Sequence, residues 1–182
     1  MCKLRFITIG FVEPHKGHDI LLNAIKQIDD KLLAECEFFW IGNKSSLFAK
    51  EIQNAINDMP YISMPGTVSR KDIHTLLSES DILICPSRED SMPTVCAEAM
   101  MHSVPCLVSD AVGTAEYIAD GIDGLVFKNE NTMELAEKII WCINHKSELK
   151  NMGKKAYHTY DKVFSMSAFE KNLMKYVNDM LE

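Results

Sequence analysis

The chain has 182 residues, 47% of them hydrophobic, and is therefore long enough to bury the core of one domain. Its formal net charge is −7 and its lysines are scattered, which argues against a nucleic-acid partner, because binding to a phosphate backbone needs a concentrated basic face. It shows neither a signal-peptide pattern nor an apolar run long enough to cross a bilayer. We therefore expect a cytoplasmic protein without a transmembrane segment, and leave open a peripheral membrane association of the parent protein.

Along the chain, short apolar segments alternate with segments of helical periodicity. Apolar strands of four to six residues favour a parallel sheet covered by helices on both faces, so we predict a Rossmann-like, doubly wound α/β domain with a helical C-terminal extension. Ser69 is expected to cap one helix, with Asp72 three residues on. The predicted strands are Leu4–Ile9, 38–41, 61–64, 81–85 and 105–109, and the predicted helices are 18–33, 47–56, 69–77, 95–101 and several from Thr132 onward.

Ligands of such sheets bind beyond the carboxyl ends of the strands. The most informative segment is 86–127, which follows the fourth predicted strand. It carries Glu89 and Asp90 in a loop and Glu98 in a short helix. Free N–H groups at the start of a helix hold phosphate, and a carboxylate further along accepts hydrogen bonds from a vicinal diol. This pattern suits a sugar nucleotide.

The spacing from Asp90 to Glu98, with Ala-Met directly after Glu98, resembles the donor-binding signature of the retaining group 1 glycosyltransferases, which have the GT-B fold. In that family a Glu, seven residues and a second Glu precede Ala-Met, and here Asp90 stands in the first position. The resemblance implies that residues 1–182 form the lobe that binds the nucleotide-sugar donor, and that an N-terminal acceptor-binding lobe is absent from the chain. The parent is then expected to transfer a hexose-type sugar from a nucleoside-diphosphate sugar to a glycan or lipid-linked acceptor with retention. The isolated domain is expected to bind nucleotide and to turn over little.

The resemblance implies roles for the charged residues of this site. Glu98 would hold the ribose hydroxyls, and its place in an otherwise apolar helix indicates that the carboxylate has a partner. Lys16 would lie on the diphosphate, because a leaving nucleoside diphosphate develops negative charge that a fixed cation stabilises. Asp90 matches by spacing the acid that lies near the transferred sugar, whereas the longer Glu89 could reach the same place. We favour Asp90.

Backbone groups complete the predicted donor site. The N–H groups of Thr94 and Val95, at the helix N-terminus, are expected to face the diphosphate, and Pro93, which has no N–H, suits the start of a helix. Gly66-Thr67-Val68 resembles the family turn whose backbone contacts the nucleobase. The segment 113–116 resembles a later loop of the family and is expected to shape the site.

One departure from the family pattern concerns the end of the first strand. Gly10 and Phe11 belong to the predicted donor site, and many relatives place an Arg, as a second cation, where this chain has Phe11. We expect His15 or Arg88 to compensate, or the site to bind the donor with one cation fewer.

The chain contains no Asp-x-Asp triplet, the usual device for holding a divalent cation on the phosphates of a sugar nucleotide. We therefore expect no cofactor and metal-independent donor binding. Two alternatives stay open: one lobe of a sugar-nucleotide epimerase, and a non-enzymatic nucleotide-binding module such as a receiver-like domain. The second is disfavoured because receiver domains need an acidic cluster at the end of the first strand, and Gly10-Phe11-Val12 has none.

Two further predictions concern packing. The apolar stripe of the last predicted helix, 167–181, is expected to pack on the domain's own sheet, since such stripes usually pack on the nearest core. In the family this helix packs beside the other lobe, which is the alternative. The cysteines lie singly, without the close pairs of a zinc site, and are predicted to be buried thiols. They are Cys2, Cys36, Cys85, Cys96, Cys106 and Cys142.

Overall fold

The computed structural model describes residues 3–181, and of Leu181 only the backbone. Six parallel strands form one sheet: β1 (Leu4–Ile9), β2 (Cys36–Ile41), β3 (Ile62–Gly66), β4 (Ile82–Cys85), β5 (Cys106–Ser109) and β6 (Gly124–Phe127). Their order in the sheet is β3-β2-β1-β4-β5-β6. The order reverses between β1 and β4, as in a Rossmann-like doubly wound sheet, so the predicted fold class is confirmed.

Helices cover both faces of this sheet. In the described part of the chain they are α1 (His18–Ile25), α2 (Asp30–Leu33), α3 (Leu47–Ala55), α4 (Arg70–Ser78), α5 (Thr94–Met101), α6 (Thr132–Asn144), α7 (Lys146–Val163) and α8 (Met166–Leu181). Helices α1 and α6 pack on one face, whereas α4 and α5 pack on the other. The predicted helical C-terminal extension corresponds to α6, α7 and α8.

Strand β1 shows how the sequence produces a core on each face. Because side chains alternate between the faces of a sheet, Phe6 packs beneath α1 while its neighbour Ile7 packs beneath α5. Phe6 stacks on Phe38 of β2, with ring centroids 4.7 Å apart. Since both faces are buried, the strands are apolar almost throughout, as a covered parallel sheet requires.

Sequence reasoning misses β6. This strand is four residues long, pairs with β5 at the edge of the sheet, and begins at Gly124. A Cβ at Gly124 would lie 2.7 Å from the carbonyl oxygen of Cys106, so the two strands approach closely only because this residue is a glycine. In the sequence, a glycine before a short apolar segment is read as a turn signal, which hides the start of this edge strand.

The prediction of one continuous helix over 18–33 is wrong. Helix α1 ends at Ile25, and α2 begins after Asp29, whose side chain accepts a hydrogen bond from the N–H of Lys31 at 2.8 Å. Ile28 and Leu33 are both buried, so the apolar spacing continues across the break and conceals it. The local bond from side chain to backbone restarts the helix.

The predicted cap of α4 is present. The Ser69 hydroxyl accepts a hydrogen bond from the N–H of Asp72 at 3.2 Å and donates to the Asp72 carboxylate at 2.7 Å. Asp72 therefore bonds to the hydroxyl, and not to the N–H, of the capping residue. A shorter Asp in place of Glu at this position accounts for the incomplete capping box.

The apolar stripe of α8 faces solvent, so the prediction that it packs on the domain's own sheet is wrong. Phe169, Leu173, Tyr176 and Met180 are between 47% and 64% exposed, and Val177 is half-buried. Helix α8 contacts α7. The sheet is already covered by helices that precede α8 in the chain, which leaves no free apolar face for this stripe.

The cysteines of the described residues are free thiols, and all are buried as predicted: Cys36, Cys85, Cys96, Cys106 and Cys142. Cys2 lies outside the described residues. Across residues 3–181, none of the helices combines the length and the apolar character needed to span a membrane.

Candidate functional site

The site lies where the strand order reverses, between the loops that follow β1 and β4. The first loop ends in a 3₁₀ turn, Pro14–Lys16, followed by Gly17 with φ of 72°. A Cβ on Gly17 would lie 1.9 Å from the carbonyl oxygen of Pro86, so only glycine permits this approach. The N–H of Arg88 also donates to the His15 carbonyl at 2.8 Å. The two segments, 14–17 and 86–90, are therefore connected, and we call them the rim.

The rim brings together two residues predicted to be catalytic. The Lys16 Nζ donates to the Asp90 Oδ2 at 2.5 Å, and the two side chains are 25% and 15% exposed. The Asp90 carbonyl accepts from the N–H of Gly113 at 2.9 Å. A Cβ on Gly113 would lie 1.8 Å from the carbonyl oxygen of Ser91, so Gly113 shapes this loop, as expected. The charge-assisted bond holds both charged groups in defined positions.

Glu89, the other candidate for the acidic role, lies elsewhere. Its side chain is exposed, and within residues 3–181 it forms no hydrogen bond or ion pair. The structure therefore places Asp90, and not Glu89, against Lys16. Whether Asp90 acts in catalysis stays a prediction.

Helix α5 begins directly after this loop. Pro93 is its N-cap residue, in an extended conformation, and is buried. Thr94 and Val95 are the first two helical residues, so their N–H groups have no carbonyl partner within the helix. Pro93 and Val95 border the same small cavity as Lys16. The N-terminus of α5, with its partial positive charge, therefore lies beside the rim.

Glu98 lies one helical turn after Thr94, on the same side of α5. It borders a cleft of about 360 Å³ between α4, α5 and α7. Among the described residues, the partner of this carboxylate is Arg70, whose Nη2 lies 3.9 Å from Glu98 Oε1 and whose side chain is 85% exposed. Such an exposed contact is weak. The Glu98 carboxylate can therefore accept hydrogen bonds from a ligand in the cleft.

His74, which borders the same cleft, forms a pair with His102 that the sequence analysis misses. Nδ1 of His74, on α4, lies 3.0 Å from Nε2 of His102, which follows α5. Burial lowers the pKa of His102, and His74 lowers it further, while Glu98 partly opposes this shift. One nitrogen of the pair must be unprotonated to accept the hydrogen bond. No local pattern connects two histidines on different helices.

The predicted nucleobase turn lies at the end of β3. Gly66 and Thr67 border a second open cleft of about 360 Å³, together with residues 43–45. Val68 is half-buried and its side chain packs against the core, so its backbone is the part available to a ligand. Lys44, from the segment after β2, donates from Nζ to a backbone carbonyl of β3 at 2.6 Å.

Gly10 and Phe11 mark the exit from β1. A Cβ on Gly10 would lie 3.6 Å from the aliphatic stem of Lys16, which is an ordinary van der Waals contact. The Phe11 ring is exposed. The position at which the family resemblance implies a second cation therefore carries an exposed apolar ring here.

The structure disfavours Arg88, one of the alternatives expected to replace this second cation. Arg88 donates to both carboxylate oxygens of Asp19, at 2.9 and 2.7 Å, and from Nε to Glu130 at 2.7 Å. The bonds to Asp19 raise the pKa of Arg88. Burial alone would raise the pKa of Asp19, but the bonds from Arg88 lower it overall. The Arg88 guanidinium thus joins the rim to α1 and is not free for a phosphate, whereas His15 is exposed and remains a candidate.

Carboxylates balance the charge of Arg88 at the rim, so the positive groups considered for a phosphate are Lys16, which Asp90 holds in place, and the N-terminus of α5 next to the rim. Within the part of the chain that the structure describes, no three His, Cys, Asp or Glu side chains are grouped so that they could hold a metal ion. Metal-independent donor binding stays a prediction.

Comparisons with known proteins connect this geometry to a family. The sequence profile of the family "Glycosyl transferases group 1" matches residues 3–159. An uncharacterized glycosyltransferase of Methanocaldococcus jannaschii is 32% identical over 149 residues, which are 81% of this chain and 40% of that protein. The N,N'-diacetylbacillosaminyl-diphospho-undecaprenol alpha-1,3-N-acetylgalactosaminyltransferase of Campylobacter jejuni is 34% identical over 88 residues, which are 48% of this chain and 23% of that protein.

Among solved structures, the Anabaena protein HepE in complex with UDP and glucose matches with a TM-score of 0.84 at 19% identity, over 98% of this chain and 49% of that one. This likeness shows the fold, which is that of one GT-B lobe. The chain spans less than half the length of each of these three proteins. Because the family profile covers most of the chain, the protein belongs to the group 1 glycosyl transferases.

Proposed function

We propose that this chain is the donor-binding domain of a retaining glycosyltransferase, and that it binds a nucleoside-diphosphate sugar over the carboxyl ends of β1 and β4. The observation that carries the proposal is the position of the Lys16–Asp90 pair beside the N-terminus of α5, the helix that also carries Glu98. A cation and a helix N-terminus suit a diphosphate, and a carboxylate one turn along suits the adjoining pentose.

The first turn of α5 and Glu98 form the nucleotide half of the proposed site. Thr94 and Glu98 are separated by about 6 Å along the helix axis, on the same side of α5. The N–H groups of Thr94 and Val95 donate to the diphosphate, and Glu98 accepts hydrogen bonds from the ribose hydroxyls. The backbone of the turn Gly66-Thr67-Val68 contacts the base.

Lys16 and Asp90 form the reacting half. When the bond between the anomeric carbon and the phosphate oxygen breaks, the diphosphate gains negative charge, which the Lys16 ammonium stabilises. Asp90, next to Lys16, supports the positive charge that develops at the anomeric carbon. The pair keeps both groups in place before the donor binds, because each neutralises the charge of the other.

The relatives support a choice of donor and acceptor. HepE has been solved in complex with UDP and with UDP-glucose. The Campylobacter relative is named as transferring N-acetylgalactosamine to a sugar on diphospho-undecaprenol. For this protein we therefore propose a UDP-linked hexose-type donor and a glycan or lipid-linked acceptor.

We place the acceptor on a second, N-terminal lobe of the parent protein. The chain spans 40% of the Methanocaldococcus relative and 49% of HepE, so both proteins have room for a further lobe. The exposed apolar stripe of α8, described above, provides a surface that such a lobe would cover. The isolated chain is then expected to bind UDP and to turn over little.

Titration calorimetry with UDP, GDP and ADP tests the proposal. We expect UDP to bind more tightly than GDP or ADP. Glu98→Ala should lower the affinity for UDP about tenfold or more, because a charge-assisted pair of hydrogen bonds is lost. Glu137→Ala, which removes an exposed carboxylate of α6, should leave the affinity unchanged. A folded Glu98→Ala protein with full affinity would remove the ribose assignment. Conversion of a labelled donor to its epimer without acceptor would favour the epimerase alternative.

A further inference from the structure

A buried histidine lies close to Lys16. His18 is the first residue of α1, and its side chain is fully buried against Trp40, with ring centroids 5.6 Å apart. Neither Nδ1 nor Nε2 of His18 has a hydrogen-bond partner among the residues that the structure describes. A neutral imidazole offers one donor and one acceptor, and buried polar groups are almost always satisfied. The ring is therefore able to bind a small polar ligand.

The ring borders a small cavity between the ends of β1 and β4. Its volume is about 10 Å³, close to the minimum that one water molecule needs. Lys16 also borders the cavity, as do Thr8 and Ser87, which are both buried and carry hydroxyl groups. Polar cavities of this size hold a water molecule with several hydrogen bonds, whereas empty cavities are apolar.

Charge narrows the choice of ligand. Burial lowers the pKa of His18 to about 4, partly opposed by Asp19 and reinforced by Lys16, so the ring is neutral near pH 7. Lys16, which borders the cavity, carries a positive charge that Asp90 balances, so the cavity has no surplus negative charge to hold a cation. The volume is too small for a phosphate or a carboxylate. A single neutral molecule that both donates and accepts hydrogen bonds fits best.

We propose that this cavity binds one water molecule, hydrogen-bonded to His18 and to the hydroxyl groups of Thr8 and Ser87, and that the water supports the turn that carries Lys16. His18 is then a positioning residue, which acts on donor binding through Lys16. This second part rests on the phosphate role proposed for Lys16, whereas the water site does not.

A crystal structure of the 182-residue chain, at a resolution that shows ordered solvent, tests the water site without any nucleotide. We expect one well-ordered water molecule within hydrogen-bond distance of a ring nitrogen of His18. An empty cavity, or a His18 ring bonded to a protein group, overturns the proposal.

Magnetic relaxation dispersion, which counts long-lived internal water molecules, tests the same site in solution. His18→Asn keeps a donor and an acceptor and should keep the count, whereas His18→Leu should lower it by one. His158→Ala, at an exposed position of α7, serves as the control. An unchanged count in folded His18→Leu overturns the water site. If His18→Leu does not fold, a crystal structure of His18→Asn decides by the presence or absence of the water.

Calorimetry with UDP and uridine tests the positioning role. We expect His18→Leu to lower the affinity for UDP about tenfold and to leave the affinity for uridine unchanged, since a small displacement of Lys16 affects only the contact with the diphosphate. Lys16→Ala is measured in parallel. If Lys16→Ala does not lower the affinity for UDP, the phosphate role of Lys16 fails, while the crystal structure still decides the water site. If Lys16→Ala lowers the affinity for UDP and His18→Leu does not, the positioning role of His18 is overturned.

Discussion

Lys16 and Asp90 are 74 positions apart in the sequence, yet the Lys16 Nζ and the Asp90 Oδ2 lie 2.5 Å apart at the edge where the strand order reverses. The ion pair joins the loop after β1 to the loop after β4. Because both side chains are mostly buried, a change at either position leaves the other charge without its partner. The pair therefore couples the packing of these two loops to the proposed donor site.

Lys16→Ala should reduce the preference of the chain for UDP over uridine by about tenfold or more, because the diphosphate loses its fixed cation. Lys26→Ala, at an exposed position after α1, is the matched control. The measurement is the ratio of the two dissociation constants by calorimetry, with folding checked by circular dichroism. An unchanged ratio in the folded variant would contradict the phosphate role.

Asp90→Asn and Glu89→Gln separate the two candidates for the acidic role. In the parent enzyme with its acceptor lobe, we expect Asp90→Asn to lower kcat by about 100-fold, because stabilisation of the developing charge is lost. Glu89→Gln, at an exposed side chain, should lower it about threefold at most. Initial rates at saturating donor and acceptor give both values. The reverse ranking would exchange the two assignments.

Arg88→Lys should destabilise the chain by about 1–2 kcal/mol, although the charge is kept. A lysine cannot bind both oxygens of Asp19 and also Glu130, which the guanidinium contacts from three nitrogens. Urea unfolding measures the change. Arg70→Lys, at a largely exposed arginine, should stay within about 0.5 kcal/mol of the wild type. Equal stability of both variants would show that the bonds of Arg88 contribute little.

Lowering the pH should reduce the free energy of unfolding of the wild type more than that of the His18→Asn variant. The pKa of His18 is lowered from 6.5 to about 4, so between these values the unfolded chain binds a proton that the folded protein does not. Stability due to neutral His18 is therefore present above the unfolded pKa and is lost as the pH falls toward the folded pKa, by up to about 3 kcal/mol.

Urea unfolding of both proteins at about pH 7 and about pH 4.5 checks this expectation. The other groups that titrate between these pH values are common to both proteins, so their contributions cancel in the comparison. An equal loss of stability in the two proteins would show that the His18 ring titrates alike in the folded and unfolded states.

Local signals predict local structure well in this chain. Helix α5 begins at Thr94, one residue from its predicted start, and Ser69 caps α4 as expected, because caps depend on neighbouring residues. The break before Asp29 was missed because the apolar spacing continues across it, and β6 was missed because it is a short edge strand that begins with glycine.

The candidate site divides in the same way. The spacing from Asp90 to Glu98 lies on one continuous segment, so it can be read from the sequence. The engagement of Arg88 cannot, because Asp19 is 69 positions away and Glu130 is 42 positions away. Family resemblance implied a free cation near the rim but contained no information on these carboxylates.

By itself, the sequence determined the family, the alternation of strands and helices, and the helix that carries Glu98, since these depend on the order of residue types along the chain. Only the tertiary structure decided which charged groups are free and which apolar faces are covered. Arg88 is bound by carboxylates, and the stripe of α8 is exposed. The physical reason is that ion pairing and burial depend on distances between segments far apart in the chain, and local periodicity does not encode these distances.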